Sequence, residues 1–142
     1  MFDSKNMIYI LTILEAIEKI FIYSNEFNND EDFYYANKQL NFNGAVNLLI
    51  VIGEENKKID TKLKTSKAIN WKNISALRDK ILHTYRGVDE SIVWDIIQNH
   101  LPKLQIALIK MLPKIENSQT YINQAIQTIY YEDLQYLKNT NP

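Results

Sequence analysis

Residues that interrupt regular backbone structure are scarce in this sequence, which has only three Gly and three Pro among 142 residues. Gly and Pro are the strongest local breakers of helices and strands, so their scarcity favours long helices over many short strands. The apolar fraction of 46% is sufficient for a packed core, and 142 residues is the size of one domain. The sequence therefore predicts an all-α chain with a single core.

Apolar residues recur at helical spacing in five stretches. They predict helices at about residues 4–24, 31–58 with a possible break near 41–44, 71–85, 89–113 and 118–137. Ser4 is a candidate N-cap for the first helix, and Asn70 or Asn73 for the third, which Gly87 is placed to end. The lysine-rich stretch between the second and third helices has no apolar period and is expected to be a loop.

Two regions need a choice between alternatives. The run Ala45–Ile52 is apolar almost all round, which is typical of a helix in the middle of a bundle. A parallel strand would also explain it, but no other strand candidate exists to pair with it. Pro102 lies inside the fourth helical pattern and must kink that helix or restart it, and Pro113 is expected to end it. The fold class predicted is a bundle of four or five helices. The predicted buried face of its last helix comprises Tyr121, Ile122, Ala125, Ile129 and Leu134.

The absence of cysteine excludes disulfides, thiolate metal sites and thiol nucleophiles. The first residues lack the basic-then-apolar pattern of a secretion signal, and the longest aliphatic run, Leu48–Ile52, is too short to span a bilayer. We therefore expect a cytoplasmic protein with no membrane partner.

Positive charge is concentrated in one segment, although the whole chain has a net charge of −1. Residues 57–86 contain nine Lys or Arg and two Asp, so this segment carries +7 and the remainder −8. A basic segment of this kind can hold a polyanion. A solvated, lysine-rich loop is the alternative.

The stretch 78–86, with the sequence RDKILHTYR, holds the side chains best suited to chemistry. Asp79 and His83 are four residues apart, so on a helix the carboxylate can orient the imidazole and favour its protonated form. Arg78 and Tyr85, seven apart, share another face. Arg78 and His83 are about 140° apart around an ideal helix. They converge only if the helix is distorted or if a second copy brings its own motif to a shared cleft.

These residue types suit RNA cleavage without a metal. The RNA 2′-hydroxyl is the nucleophile, His83 can take its proton, and Arg78 can grip the phosphate and stabilise transition-state charge. The chain has no Gly-rich phosphate loop, no nucleophile elbow and no metal-ligand cluster at ligand spacing. An exposed ion-pair network near a helix end would explain the same residues. His100 has no partner at metal-ligand spacing and is expected to be an ordinary surface residue.

The pattern Arg-x4-His-x-Tyr, formed by Arg78, His83 and Tyr85, resembles the motif of HepT-like toxins of the HEPN superfamily, and Asp79 fits the polar position after the arginine. The resemblance covers about residues 5–112. It includes the segment of the central helix that ends at Glu54. Glu54 is also a candidate to support the site residues without contacting the substrate. Further matching segments are Asn70–Ile74, Gly87–Asp89, Val93–Ile97 and Leu101–Leu104.

This resemblance implies a HEPN-type bundle that forms a homodimer whose paired motifs line one cleft. It implies the toxin of a toxin–antitoxin pair, a metal-independent endoribonuclease acting on RNA such as tRNA or mRNA, with no cofactor. The partner implied is an MNT-type nucleotidyltransferase antitoxin, which attaches AMP to Tyr85 (AMPylation). Arg78, His83 and Asp79 would be catalytic, Tyr85 would also position substrate, and the RNA-binding residues would be Lys80, Arg86 and Lys72.

The chain departs from the family pattern at Thr84, where many relatives have glycine, at Arg86, and in a longer tail. We therefore predict a HepT-like domain over residues 1–113 and a C-terminal helical extension, residues 114–142, packed on it. A non-catalytic helical subunit that partners a nucleotidyltransferase is the main alternative, and a plain structural dimer is the other.

Overall fold

The computed structural model describes residues 1–82 and 87–139, and of Leu82 and Asn139 it describes the backbone alone. No β-strand occurs in these two ranges, apart from a single isolated bridge between Phe2 and Ile115. The α-helices are α1 (Lys5–Ser24), α2 (Asp30–Tyr35), α3 (Leu40–Lys58), α4 (Trp71–Ser75), α5 (Leu77–Leu82), α6 (Glu90–Asp95), α7 (Leu101–Met111) and α8 (Ser118–Ala125). Four further segments are 3₁₀-helical: Ala36–Gln39, Thr61–Leu63, Leu112–Lys114 and Ile129–Asn139. One segment, Ile96–His100, is π-helical and is called the π turn below. The predicted all-α class is confirmed.

The core is built around α1, which packs most extensively against α3 and also contacts α7 and the Ile129–Asn139 segment. Its apolar residues Ile10, Leu14 and Ile17 are fully buried. Full burial of a Leu or Ile side chain contributes about 1.5–3 kcal/mol, so this helix is the main source of hydrophobic stabilisation. The run Ala45–Ile52 of α3 is helical, as predicted, and its apolar side chains are buried or half-buried while Asn47 is exposed.

The break in the second predicted helix lies earlier than expected. It falls between α2 and α3, where Asn37, Lys38 and Gln39 have φ values of 52°, 56° and 70°. This left-handed backbone ends α2 and redirects the chain. Gly44, at the predicted break, instead continues α3, and it faces the ring of Tyr23.

Polar caps begin several helices, though not always through the predicted residue. Ser4 occupies the N-cap position of α1 but makes no capping bond with its side chain; Oδ1 of Asp3 accepts from the backbone N–H of Lys5 at 2.8 Å instead. Asn70 caps α4 as predicted, since its Oδ1 accepts from the N–H of Asn73 at 3.1 Å. Among the helices described, none combines the length and hydrophobicity needed to cross a bilayer.

Pro102 restarts the fourth predicted helix instead of kinking it. It lies in the first turn of α7, where a missing N–H is tolerated. Before it, the backbone widens into the π turn, in which the N–H of Leu101 bonds to the carbonyl oxygen of Ile96. The helix α7 ends at Met111, two residues before Pro113, as the sequence predicted.

The prediction of one helix over residues 118–137 is wrong. The helix α8 stops at Ala125, whose carbonyl oxygen accepts from Oγ1 of Thr128 at 2.7 Å, and a 3₁₀ segment follows. Ile122 and Leu134 are fully buried, as predicted, but Ile129 is 85% exposed. The turn between the two segments shifts the helical phase, which is why one periodic pattern places Ile129 on the wrong face. Tyr121 and Ala125 are half-buried.

Candidate functional site

The predicted motif begins on α5, which follows α4 after a break at Ala76. The structure places Arg78, Asp79 and Lys80 on this helix, all with exposed side chains. The predicted residues His83, Tyr85 and Arg86 lie outside the described part of the chain. Their geometry relative to Arg78 is therefore a prediction from the sequence.

A glycine lets the motif helix approach the central helix closely. A Cβ atom on Gly53 of α3 would lie 3.1 Å from the carbonyl oxygen of Ile74, 3.3 Å from Cβ of Leu77 and 3.4 Å from the backbone nitrogen of Arg78. These distances are tighter than ordinary van der Waals contact, and two of the three atoms belong to backbone. The Gly53 position therefore fixes how near the backbone of Arg78 can lie to α3.

A buried amide, Asn56 of α3, holds α4 in place. Its Nδ2 donates to the carbonyl oxygen of Trp71 at 3.2 Å and to Oγ of Ser75 at 2.8 Å. The backbone oxygen of Asn56 accepts from Nζ of Lys64 at 2.5 Å, and burial lowers the pKa of that ammonium group. The indole N–H of Trp71 donates to the carbonyl oxygen of Ser66 at 3.2 Å. These bonds tie the approach to the motif to α3 and to the preceding loop. The sequence signal for Asn56 was a polar residue on the buried stripe of α3, and sequence reasoning missed it.

Arg78 is paired with Glu54, a contact that the sequence did not predict. Its Nε lies 3.8 Å from Oε1 of Glu54, and the two side chains are 50% and 37% exposed. The same carboxylate oxygen accepts from Nζ of Lys57 at 3.2 Å. A guanidinium has further N–H donors on its terminal nitrogens, so an arginine oriented in this way can still bind a phosphate.

The basic segment offers less free charge than its sequence indicated. Lys57 and Lys58 pair with Glu54 and Glu55, at 3.2 Å and 2.9 Å, and Lys64 bonds to backbone within the fold. The predicted RNA-binding residues Lys72, on α4, and Lys80, on α5, both have exposed side chains. Lys62 and Lys67, in the loop before α4, are exposed as well, so the exposed lysines of the segment extend from this loop to α4 and α5.

A cleft of about 180 Å³ lies between α4 and α5 on one side and α6, the π turn and α7 on the other. At its rim, Nε2 of His100 lies 3.2 Å from Oδ2 of Asp95, whose Oδ1 accepts from Nδ2 of Asn99 at 2.6 Å. These hydrogen bonds, chiefly that from Asn99, lower the pKa of Asp95 and keep it ionised. His100 is a surface residue, as predicted, with a side chain 56% exposed. The cleft is lined by Ala68, Ile69, Asn70, Asn73, Ile74, Leu77, Lys80, Ile92, Asp95, Ile96, His100 and Lys103.

Within residues 1–82 and 87–139, no three His, Asp or Glu side chains come together as a possible metal site. The described part of the predicted site thus consists of the exposed side chains of Arg78 and Asp79 on α5, which packs against α3.

Comparison with known protein families identifies the class to which this chain belongs. Residues 13–111, well over half of the chain, match the family described as Ribonuclease HepT-like. The chain belongs to the Ribonuclease HepT-like family, and the resemblance stated from the sequence is confirmed.

Relatives with curated names agree with this family. The chain is 34% identical to "Probable ribonuclease HepT" of Thermococcus cleftensis, over 68% of this chain and 86% of that protein. It is 29% identical to a "Putative RNase" of Methanocaldococcus jannaschii, over 76% of this chain and 88% of that protein. A third relative, a "Gamma-glutamylcyclotransferase and putative RNase" of the same organism, is 27% identical over 79% of this chain, which spans 50% of that protein's length. No solved structure matches the chain.

Proposed function

We propose that this protein is a metal-independent endoribonuclease and the toxin of a toxin–antitoxin pair. One observation carries the proposal: in a chain of the Ribonuclease HepT-like family, the motif arginine Arg78 is exposed on a helix that packs closely against α3 at Gly53, and it pairs with Glu54 of α3. An arginine that is both exposed and oriented is suited to stabilising charge on a phosphate. The names of the relatives, which describe ribonucleases, support the same activity.

The proposed reaction is an attack of the RNA 2′-oxygen on the adjacent phosphorus. His83 removes the proton of the 2′-hydroxyl as general base, Asp79 orients the imidazole, and Arg78 stabilises the negative charge that develops on the phosphoryl oxygens. The bond to the 5′-oxygen of the next nucleotide breaks, and that oxygen takes a proton from an acid or from water. The products are a 2′,3′-cyclic phosphate and a 5′-hydroxyl end, and no metal is needed.

A homodimer would complete this site. Residues five apart on an ideal helix, such as Arg78 and His83, point about 140° apart. A second copy placed against the same face would bring its own Arg78 or His83 across a shared cleft. We therefore propose that both protomers contribute to each catalytic centre, with Lys72, Lys80 and Arg86 contacting the RNA strand.

Regulation by a nucleotidyltransferase antitoxin belongs to the same proposal. AMP attached to Tyr85, two residues after His83, would add bulk and a negatively charged phosphodiester beside the RNA phosphate. The modified toxin would repel its substrate.

The cytoplasm, where tRNA and mRNA are found, is the proposed location. Residues 114–142 are proposed to be an extension of the HepT-like domain rather than a separate domain.

The experiment that tests this function is a cleavage assay on total RNA and on tRNA in the presence of EDTA. The unmodified wild-type protein is compared with His83→Ala, and with Lys110→Ala as a control for loss of one surface charge. We expect discrete RNA fragments from wild type and Lys110→Ala, and none from His83→Ala, with matching circular dichroism spectra for all three. The absence of cleavage by wild-type protein, shown by intact mass to carry no AMP, would overturn the ribonuclease proposal in favour of a non-catalytic binding subunit.

A further inference from the structure

We propose that the cleft between α4–α5 and the π turn is a nucleotide-binding subsite, which holds one unpaired nucleotide of the RNA next to the cleaved bond. Its base would lie on the apolar floor of the cleft, and a flanking phosphate would lie at the basic rim. This inference rests on the proposed ribonuclease function, and it adds to that function a residue set that determines which sequence is cut.

The floor of the cleft suits a flat ring. It is made by the aliphatic side chains of Ile69, Ile74, Leu77 and Ile96, and Ile92 stands at its edge with a 47% exposed side chain. The volume is about 180 Å³, and an apolar cavity of about 150 Å³ is enough to bind benzene. Burial of a base on this surface would remove apolar area from water on both sides.

Polar groups stand where the edge of a base would lie. Asn70 and Asn73 both line the cleft. Asn70 uses its side-chain oxygen to cap α4. Asn73 takes part in that cap only through its backbone N–H, and its side chain is exposed. An amide offers both donors and an acceptor, which matches the mixed edges of nucleobases. Unstacked bases of single-stranded RNA are recognised in this way, by apolar contact with a face and hydrogen bonds along an edge.

The charge of the rim suits a phosphate. Lys80 comes from the motif helix α5 and Lys103 from α7 on the other side, whereas His100 contacts Asp95, the one acidic residue among the lining residues. Hydrogen bonds from Asn99 and contact with His100 engage the carboxylate of Asp95. A cleft with basic groups on both sides and an apolar floor is complementary to a nucleotide, which has one charged and one apolar part.

The π turn places His100 at the rim of the cleft. Residues five apart lie about 140° apart on an α-helix, so Asp95 and His100 would not meet there. The wider turn brings them to 3.2 Å. Short π segments inside helices are frequent at functional sites. This is also why sequence spacing alone assigned no partner to His100.

The cleft is continuous with the proposed catalytic helix. Leu77 and Lys80 line it, and both belong to α5, which also carries Arg78. An RNA strand whose phosphate is bound at Arg78 needs to cross only α5 to place a neighbouring nucleotide in the cleft.

Two matched pairs of variants test the subsite. Lys103→Ala removes a charge from the rim, and Lys110→Ala removes one from the same helix outside the cleft. Ile92→Ser makes the edge of the floor polar, and Ile106→Ser does the same to an isoleucine that is 56% exposed and not among the lining residues. All four positions are exposed, so all four variants should fold.

The probe is a short single-stranded RNA with 2′-O-methyl substitution at each position, which cannot be cleaved because no free 2′-hydroxyl remains to attack, together with its cleavable parent. We expect Lys103→Ala and Ile92→Ser each to raise the Kd for the uncleavable probe about tenfold, and to raise KM for the parent. Lys110→Ala and Ile106→Ser should bind within about twofold of wild type, which is the range of an exposed, uninvolved residue. Ile92→Ser should also weaken the preference among probes that differ in one base.

The outcomes separate the two proposals. If wild type cleaves RNA and the cleft variants behave as their controls, the subsite is overturned while the ribonuclease stands. If wild type cleaves nothing but the cleft variants alone lose affinity for the probe, the subsite stands and the ribonuclease fails. If the cleft variants change the mass measured by light scattering without changing the Kd, the cleft is an interface between copies and the subsite is overturned.

Discussion

Arg78 forms an ion pair with Glu54, which lies on α3 and not on the helix of Arg78 itself. At 3.8 Å and with both side chains partly exposed, the Arg78–Glu54 contact contributes about 0–1 kcal/mol to stability. A contact of this strength can bias the direction of Arg78 among its rotamers, although it adds little to the stability of the fold. Asn56 fixes α4, since its amide donates to the carbonyl oxygen of Trp71 and to the hydroxyl of Ser75.

Glu54→Gln tests whether this ion pair orients Arg78, because it removes a single negative charge. The side chain keeps its size but loses the attraction for Arg78, so we expect kcat for RNA cleavage to fall about threefold to tenfold, which is up to ~1.4 kcal/mol of transition-state stabilisation. The KM should fall slightly, because one negative charge near the RNA phosphate is removed. The melting temperature should change little, since the ion pair is a surface pair.

The matched control is Glu55→Gln, one residue along α3. It breaks a comparable ion pair, between Glu55 and Lys58 at 2.9 Å, and removes the same charge. Steady-state kinetics on both variants then isolates the contact with Arg78. An equal change of kcat in the two variants would contradict a positioning role for Glu54.

At the scale of helices, the decisive contact is that of α3 with α4 and α5 across Gly53. The glycine lacks a Cβ at a point where one would lie 3.1 Å from a backbone oxygen and 3.4 Å from a backbone nitrogen. Side chains can rotate away from such a contact, but backbone cannot do so without moving its helix. Gly44, on the same α3 helix, is close only to the ring of Tyr23, at 3.2 Å.

This difference predicts opposite results for two identical substitutions. Gly→Ala inside a helix gains about 0.5–1 kcal/mol of helix propensity at either position. Gly44→Ala should be neutral or stabilising, because the Tyr23 ring can shift. Gly53→Ala should destabilise by about 1–2 kcal/mol, because overpacking against backbone outweighs that gain, and it should reduce RNA cleavage by displacing Arg78. Urea unfolding of both variants checks the sign; a Gly53→Ala protein as stable as Gly44→Ala would refute close packing at this point.

The helices follow from local spacing, and this is why the sequence predicted most of them. The stripes of α1 and α3, the cap at Asn70 and the restart at Pro102 depend on residues within one or two turns of each other. The left-handed turn at Asn37 and the π turn before Pro102 carry no comparable spacing signal. Contacts between Glu54 and Arg78 or between Asn56 and Trp71 join residues far apart along the chain, so only the packing of α3 against α4 and α5 brings them together.

At the scale of the whole molecule, the segment beyond the family match is part of the core. The match ends at residue 111, yet Leu134 and Leu137 are fully buried in the same hydrophobic cluster as α1. Polar contacts join the segment to α7 as well: Nε2 of Gln105 lies 3.4 Å from the hydroxyl of Tyr136, and burial raises the pKa of that hydroxyl to about 12. The tail therefore contributes to stability, on the side of α1 rather than at the contact of α3 with α5.

Leu134→Ala and Ile129→Ala test this division. Leu134 is fully buried, so its truncation should lower the free energy of unfolding by about 2–5 kcal/mol through lost burial and a cavity. Ile129 is 85% exposed, and its truncation should change stability by less than about 0.5 kcal/mol. Both free energies come from denaturant unfolding. Because the proposed catalytic residues are held by α3 and α5, the folded fraction of Leu134→Ala should cleave RNA at the wild-type rate at a temperature below its melting point. A Leu134→Ala protein that is folded but inactive would instead tie the C-terminal segment to the site itself, through access to the RNA or through the dimer.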